Sequence, residues 1–241
     1  MIKVSNFSKK FGNKIVHKDI NFHVRKGECL GLIGGSGTGK SVILRSIIGL
    51  ETPDTGTVVV NDQTINQLSE IELIKIRQKV AYVFQGGALF DSLNVFDNLA
   101  YALKEHTSLS ESEIISRIQS TLTQFGLYDS FNIMPSQLSG GMQKRVGLAR
   151  AVIMNPEVLL YDEPTAGLDP FNTKRIQDLI LRLKGTGVTS ILVTHDMPVA
   201  LEVCDRLALV LRGEIVEEMT PKEFYNSPNA LMHKFIHGES F

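Results

Sequence analysis

The sequence predicts an α/β fold in which helices cover both faces of a mainly parallel sheet, and three observations support it. Apolar runs typical of strands alternate with helical segments along much of the chain, as expected for parallel strands joined by helical crossovers. Short β-like runs separated by turn residues precede residue 25, which predicts an N-terminal antiparallel β part. From about residue 86 to 155 the patterns are helical, which predicts an inserted helical part.

Local patterns justify each element of the first part. A wholly apolar run at 29–33 predicts a buried strand, and a glycine-rich turn separates it from a helix over 40–48. In that helix Leu44, Ile47 and Ile48 share one face, and Gly49 is a C-terminal stop. The predicted strands of this part lie at 2–4, 15–16, 20–24, 29–33 and 57–60.

Helix caps and turns delimit the elements of the second part. Ser110 and Glu113 have the spacing of a capping box that opens a helix. Near the end of the chain, Thr220 caps a last short helix whose first position is Pro221. The other predicted elements are a strand at 158–161, a helix at 172–184, a strand at 190–194 and a hairpin of strands at 207–211 and 215–218.

The order of these elements predicts a single domain over residues 1–241. Residues 1–85 and 156–241 form the core, which includes the antiparallel β part, and residues 86–155 form the inserted helical subdomain. No linker composition, internal repeat or low-complexity tract separates the parts, so we interpret the helical stretch as an insertion within one domain.

Composition narrows the functional classes. The chain has 241 residues, 43% of them hydrophobic, and its net charge of -1 excludes a polycationic nucleic-acid binder. Cys29 and Cys204 lie far apart in the sequence, with no CxxC pair and no nearby pair of histidines, so neither a disulfide framework nor a zinc site is predicted. No stretch approaches the roughly 18 apolar residues that span a bilayer, and we expect a protein of the reducing cytoplasm.

The glycine-rich turn before the helix at 40–48 predicts a phosphate site, because it matches the pattern GxxxxGK[ST] between a strand and a helix. Its glycines let backbone N–H groups point at a phosphate, and the positive end of the helix faces the same anion. Lys40 adds a charge for the β- and γ-phosphates, while the Ser41 hydroxyl can coordinate Mg²⁺. The predicted nucleotide-binding residues here are Gly34, Gly35, Ser36, Gly37, Thr38, Gly39, Lys40 and Ser41.

The apolar strand at 158–161 ends in two acidic residues. It delivers Asp162 to the carboxyl edge of the sheet, where ligands of open α/β sheets bind, and there Asp162 would hold Mg²⁺ through water. Glu163 comes next and is placed to accept a proton from an attacking water as general base. Together with the glycine-rich turn, these two carboxylates predict a site for a nucleotide and Mg²⁺.

A third motif, LSGGMQ at 138–143, is a second helix start that can receive an anion. Ser139 offers a hydroxyl, and Gly140 and Gly141 expose backbone N–H groups at the positive end of the helix. The segment resembles the LSGGQ signature of ATP-binding cassette (ABC) ATPases, with methionine at its last position. The resemblance covers about residues 1 to 225 and implies an ABC cassette, a P-loop NTPase with a RecA-like core.

The same resemblance assigns roles to four more residues. Gln85, which follows the apolar run 81–84, resembles the Q-loop glutamine that touches Mg²⁺ and joins the core to the helical insertion. The run AGLD at 166–169, which ends in Asp169, looks like the D-loop, and His195 resembles the switch histidine that contacts the γ-phosphate. Phe11 matches the aromatic position that stacks on adenine, with core packing as its alternative role. The catalytic residues thus implied are Glu163, His195, Gln85 and Asp169.

The resemblance also implies a head-to-tail homodimer, in which each ATP lies between the glycine-rich turn of one chain and the segment 139–141 of the other. ATP contacts both faces and closes the dimer, and hydrolysis weakens those contacts so that the dimer reopens. Three kinds of ABC protein compete at this point: a transporter ATPase subunit, a soluble protein acting on ribosomes and a DNA-repair ATPase. A single phosphate motif and a compact helical segment favour the transporter over the other two.

Among transporters, the stretch FQGGALFDSLNV at 84–95 looks most like bacterial Mla-type ATPases of phospholipid transport between the inner and outer membranes. That resemblance implies two copies of a membrane permease subunit as partners, with an MCE lipid-binding protein and a STAS-domain protein in the assembly. It implies no nucleic-acid partner, and it places the chain peripherally on the cytoplasmic face of the bacterial inner membrane. The alternative is an amino-acid importer, although such ATPases more often have proline where Gly35 stands.

Overall fold

The computed structural model describes residues 1–226, and the predicted domain's last residues, 227–241, lie outside the described part. Strands and helices follow one another along this part in a fixed order. They are β1 (Ile2–Phe11), β2 (Lys14–Val24), β3 (Cys29–Ile33), α1 (Lys40–Ile47), β4 (Thr55–Val60), β5 (Gln63–Thr64), α2 (Glu70–Lys79), β6 (Val80–Val83), α3 (Val95–His106), α4 (Glu111–Gln124), α5 (Gly140–Val152), β7 (Val158–Asp162), α6 (Pro170–Gly185), β8 (Thr189–Thr194), α7 (Met197–Val203), β9 (Arg206–Leu211), β10 (Glu214–Met219) and α8 (Pro221–Tyr225).

The chain folds into two compact units. The first unit comprises Met1–Ile74 together with the described residues from Lys184 onward, and the second comprises Lys75–Leu183. The predicted organisation, a single domain with an insertion over 86–155, stays a prediction.

The first unit contains an antiparallel sheet with the strand order β2-β1-β4-β5. β1 pairs with β2 and with β4, and both pairings contain register shifts. Side chains that alternate along these strands are buried on one face, among them Phe7, Ile20 and Val58. The sequence prediction of an N-terminal antiparallel part is confirmed, although its strands are longer than predicted.

The first unit also contains parallel strands. β3 pairs in parallel with β8 on one side and with β9 on the other, while β10 adds an antiparallel edge next to β9. Every residue of β3 is buried, as expected for a strand with neighbours on both sides and helices on its faces. The predicted hairpin of β9 and β10 is confirmed, and its turn contains Arg212 and Gly213, both with positive φ.

The second unit combines the parallel pair β6 and β7 with helices α3, α4 and α5. The side chain of Ser110 accepts from the backbone N–H of Glu113 while the Glu113 carboxylate accepts from Ser110, so the predicted capping box of α4 is confirmed. Leu99, Ile118 and Val146 are buried and belong to the apolar core. The α/β class is confirmed.

Within residues 1–226, no helix is both long and apolar enough to cross a bilayer.

Candidate functional site

The glycine-rich turn connects the end of β3 at Ile33 with the start of α1 at Lys40. The Lys40 side chain is almost fully buried, with 5% relative exposure. Its ammonium group donates hydrogen bonds of 2.8 Å to the backbone carbonyls of Gly34 and Gly35. The lysine therefore lies across the turn, with its charge close to the backbone that would surround a phosphate.

Gly39, the residue before α1, has φ 87° and is held by a buried histidine. The ring nitrogen Nε2 of His17 lies 2.9 Å from the Gly39 carbonyl oxygen and hydrogen-bonds to it. A Cβ at Gly39 would come within 2.3 Å of Val16 and 2.6 Å of His17, so the fit requires glycine. Burial lowers the pKa of His17, while the hydrogen bonds with the backbone of Gly39 and Gly213 act in the opposite direction.

His195 follows β8, the strand that runs parallel to β3. Ile33 pairs with Thr194, so His195 and the start of the glycine-rich turn leave the sheet at the same carboxyl edge. His195 is exposed, and the next residue, Asp196, caps α7 by accepting from the Val199 N–H at 3.3 Å. The structure thus brings the predicted phosphate loop and the predicted switch histidine to one edge within the first unit.

Phe11 ends β1 and keeps 45% of its surface exposed. The ammonium nitrogen of Lys9 lies 5.1 Å from the centroid of its ring, close enough for a cation–π contact. An exposed ring at the end of a strand can stack on a flat ligand, so the exposure fits the predicted adenine contact better than core packing does.

In the second unit, β6 and β7 end side by side because Val83 pairs with Tyr161. Gln85 therefore follows β6 at the same edge at which Asp162 and Glu163 follow Tyr161. The Tyr82 hydroxyl donates to Asp162 Oδ2 at 2.7 Å and fixes the orientation of that carboxylate. Glu163 has φ 49°, a conformation that is unusual for a residue other than glycine.

The signature segment begins α5 as predicted. Ser139 is the N-cap, and its hydroxyl accepts from the Met142 N–H at 3.3 Å. Gly140 is exposed, and a Cβ there would meet nothing within 4 Å, so the helix start is open. The structure gives this segment the open backbone that an anion needs.

The D-loop lies against the signature segment within the second unit. Asp169 accepts from the backbone N–H of Asn172 at 3.0 Å and from its side-chain amide at 2.5 Å. The side-chain bond with Asn172 is the main cause of a lowered pKa at Asp169. A Cβ at Gly141 would lie 2.5 Å from Asn172 Oδ1, so the signature backbone touches the residue that Asp169 holds.

Three successive side chains of α5 reach three different segments. Gln143 donates to the carbonyl of Pro135 at 2.9 Å, and Arg145 donates to the carbonyl of Gly126 at 2.9 Å. Between them, the Lys144 ammonium donates to the carbonyl of Ala166 in the D-loop. Burial lowers the pKa of Lys144, and the negative charge of Glu163 acts in the opposite direction.

A close contact joins α5 to the segment that follows Gln85. A Cβ at Gly147 would come within 2.7 Å of the Gly87 Cα. The Arg150 guanidinium donates to the Gly87 carbonyl at 3.2 Å and lies over the ring of Phe90, 5.5 Å from its centroid. The beginning of the predicted helical insertion is therefore fixed to the signature helix.

Sequence reasoning missed His17, Lys144 and Gly147, each of which has a specific contact with a predicted motif. No local pattern distinguishes a single histidine in a strand or a single lysine in a helix from residues of an ordinary surface. A glycine in the middle of α5 was the one available signal, because glycine disfavours helix interiors and often indicates a close approach.

The predicted Mg²⁺ ligands fit that ion by their chemistry. Ser41, Gln85 and Asp162 offer hydroxyl, amide and carboxylate oxygens, and Mg²⁺ prefers oxygen ligands, using one or two carboxylates together with substrate phosphates. No group of three or more His, Cys, Asp or Glu side chains in the described part could hold a metal ion by itself.

Comparisons with known proteins agree with these motifs. The sequence family described as ABC transporter matches residues 17–166. Methionine import ATP-binding protein MetN 1 of Bacillus cereus is 39% identical over 246 residues, covering 100% of this chain and 71% of that protein. Arginine transport ATP-binding protein ArtM of Bacillus subtilis is 39% identical over 230 residues, covering 95% of each chain.

Among solved structures, the dimeric ATP-binding cassette MJ0796 in a post-hydrolysis state, bound to ADP and Pi, has a TM-score of 0.85 to this chain. It is 34% identical, and the alignment covers 92% of this chain and 99% of that one. CbiO1 of Clostridium perfringens, part of an ABC transporter complex, has a TM-score of 0.85 at 28% identity. The alignment with it covers 98% of this chain and 94% of that one.

Proposed function

The chain belongs to the ABC transporter family as a transport-coupled, ATP-binding ATPase subunit, and from this premise we propose that it hydrolyses ATP as a head-to-tail homodimer. In this dimer each ATP lies between the phosphate loop of one copy and the segment 139–141 of the other. The observation that carries the proposal is the open, Ser139-capped start of α5, a second anion-receptive helix start in the same chain as Lys40. The dimeric state of the similar cassette MJ0796 supports it.

Roles for the site residues follow from their chemistry. Lys40 binds the β- and γ-phosphates together with the backbone N–H groups of its loop. His195 contacts the γ-phosphate, and the ring of Phe11 stacks on adenine. Ser41, Gln85 and Asp162 would hold Mg²⁺, which neutralises charge on the phosphates. The remaining nucleotide contacts come from Gly34, Gly35, Ser36, Gly37, Thr38, Gly39, Ser139, Gly140 and Gly141.

In the hydrolysis step that we propose, Glu163 acts as general base. It accepts a proton from water as the water oxygen bonds to the γ-phosphorus and the bond to the bridging oxygen breaks, which leaves ADP and phosphate. Asp169 of the D-loop and Gln85 complete the catalytic set. The predicted organisation, a single domain over residues 1–241 with residues 86–155 as its helical insertion, is part of this proposal.

The relatives favour an amino acid as the transported substrate. MetN 1 and ArtM are named for methionine import and arginine transport, and their alignments cover 100% and 95% of this chain. None of the relatives reported above is named for lipid transport, so they do not support the resemblance to Mla-type ATPases. We therefore propose an amino-acid importer as the first candidate.

Phospholipid transport is the second candidate, and one observation favours it. The stretch after Gln85 resembles Mla-type ATPases, and in the structure Gly87 of that stretch packs against Gly147 of the signature helix. A segment fixed in this way presents a defined surface to a membrane partner, so its sequence is a guide to the partner. This candidate brings an MCE protein and a STAS-domain protein as partners.

Both candidates require two copies of a membrane permease subunit as partners, and both place this chain peripherally at the cytoplasmic face of the bacterial inner membrane. The test is to isolate the complex through an affinity tag on this chain, identify the permease, and reconstitute it in liposomes. Under the first candidate, an amino acid with its binding protein stimulates ATP hydrolysis and is transported. Under the second, phospholipid with an MCE protein does so. Stimulation by phospholipid with an MCE protein, and not by any amino acid with its binding protein, would overturn the first candidate.

A further inference from the structure

In the second unit, a charged side chain of α5 connects the signature helix to the D-loop. Lys144 lies in the first turns of the helix that Ser139 caps, and its ammonium group donates to the Ala166 carbonyl in the D-loop. The same ammonium is attracted by the carboxylate of Glu163, three residues earlier in the chain than Ala166. One side chain thus joins the signature helix to the segment that carries the proposed general base.

A second, uncharged contact runs beside this link. Gly141 packs against the side chain of Asn172, whose two hydrogen bonds hold Asp169. The signature helix therefore touches both ends of the D-loop, at Ala166 through Lys144 and at Asp169 through Asn172. Both contacts come from the first two turns of α5, so we expect a displacement of the helix start to move both of them.

The two segments that Lys144 links, the signature segment and the segment with Glu163, serve different ATP molecules in the head-to-tail dimer on which this inference rests. The segment 139–141 would contact the ATP held by the partner copy, whereas Glu163 acts on the ATP held by its own chain. A link between them within one chain is consequently a link between the two ATP sites.

We propose that Lys144 is a positioning residue that couples the two ATP sites of the dimer, by tying the signature helix to the D-loop and to Glu163 of the same chain. ATP binding at the signature segment holds α5, and Lys144 holds Ala166 and Glu163 in the arrangement that hydrolysis needs. The coupling is a free energy between two sites, so it is measurable as cooperativity. Lys144 touches no substrate and is not itself a catalytic residue.

The test uses the purified full chain at high protein concentration, which favours the proposed dimer by mass action. Lys144→Met removes the charge and keeps the length of the side chain, whereas Lys144→Arg keeps the charge. Lys75→Met is the matched control, because Lys75 is an exposed lysine on α2. The measurements are the rate of ATP hydrolysis against ATP concentration, the Kd for ATP at low protein concentration, and the melting temperature.

We expect Lys144→Met to lower kcat about tenfold, because Ala166 and Glu163 are no longer held in the arrangement that hydrolysis needs, and to move the Hill coefficient toward 1. The Kd for ATP of the separate chain stays within about twofold of the wild-type value, since Lys144 lies outside the phosphate loop. Lys144→Arg restores most of the rate and the cooperativity. Lys75→Met behaves as wild type.

A merely structural lysine gives a different result. A lower melting temperature with unchanged kcat and Hill coefficient in Lys144→Met would overturn the proposal, and so would an Arg variant as defective as the Met variant. If Lys144→Met fails to fold, Lys144→Gln, which retains a donor without the charge, is measured against the same expectations. A wild-type Hill coefficient of 1 would overturn this coupling, whereas a chain that stays monomeric with ATP would overturn the head-to-tail dimer on which it rests.

Discussion

Gly147 of the signature helix and Gly87 of the segment after Gln85 approach so closely that a Cβ on Gly147 would lie 2.7 Å from the Gly87 Cα and 2.9 Å from its carbonyl oxygen. Backbone atoms cannot move aside as a flexible side chain can. The contact therefore requires a residue without a side chain in the middle of a helix, where glycine is otherwise unfavourable.

Gly147→Ala is expected to destabilise the chain by about 1–3 kcal/mol through overpacking, less the gain of about 1 kcal/mol in helix propensity. Gly185→Ala is the matched control, because Gly185 ends α6 and a Cβ there meets nothing within 4 Å. The measurement is denaturant unfolding of both variants. Equal stabilities for the two variants would contradict the steric argument.

His17 is expected to make stability depend on pH. Its folded-state pKa lies below the unfolded value of 6.5, so on acidification the unfolded chain binds the proton first. The contribution of His17 to the free energy of unfolding is therefore fully present above pH 6.5. It is lost as the pH falls from there toward the lowered folded-state pKa. His17→Leu lacks this contribution, and the difference in melting temperature between wild type and variant should shrink on acidification across that window. A constant difference would contradict the assignment.

Glu163→Gln is expected to keep ATP binding and to lower hydrolysis by about 100-fold or more, as loss of a general base does. ATP should then trap the closed dimer, which is visible as a larger species in size-exclusion chromatography. The control is Glu105→Gln at an exposed position of α3. Normal turnover in Glu163→Gln would remove Glu163 as the base.

Lys40→Ala is expected to weaken ATP binding by about tenfold or more, since a buried charged contact to phosphate is lost. Lys26→Ala, at an exposed position, is the control. Fluorescence titration with a labelled nucleotide measures both. An unchanged affinity in Lys40→Ala would count against the phosphate-loop assignment.

Much of the fold could be predicted because local signals were strong. The capping box at Ser110 and the helix cap at Thr220 are present as predicted, and β3 coincides with its apolar run. Helix α2 was missed because its isoleucines do not keep to one face: Ile71 is 74% exposed, whereas Ile76 is buried. Without a clear apolar stripe, a period of 3.6 residues cannot be recognised.

The predictability of the site has the same physical basis. Phosphate and signature motifs are contiguous in sequence because a backbone that surrounds an anion needs successive N–H groups. His17 and Lys144 act on those motifs from other strands and helices, so only folding reveals them. A residue whose role depends on a contact with a residue far away in the sequence has no local sequence pattern that reveals this role.

The contacts of Lys40 have a thermodynamic consequence for nucleotide entry. Its ammonium group is already out of bulk water and satisfied by the carbonyls of Gly34 and Gly35. An arriving phosphate therefore exchanges partners with these carbonyls and strips no water shell from the charge. The cost of removing water from the Lys40 ammonium is met during folding and not during nucleotide binding. The affinity for nucleotide therefore depends on breaking the contacts of Lys40 with the two carbonyls as much as on its attraction to phosphate.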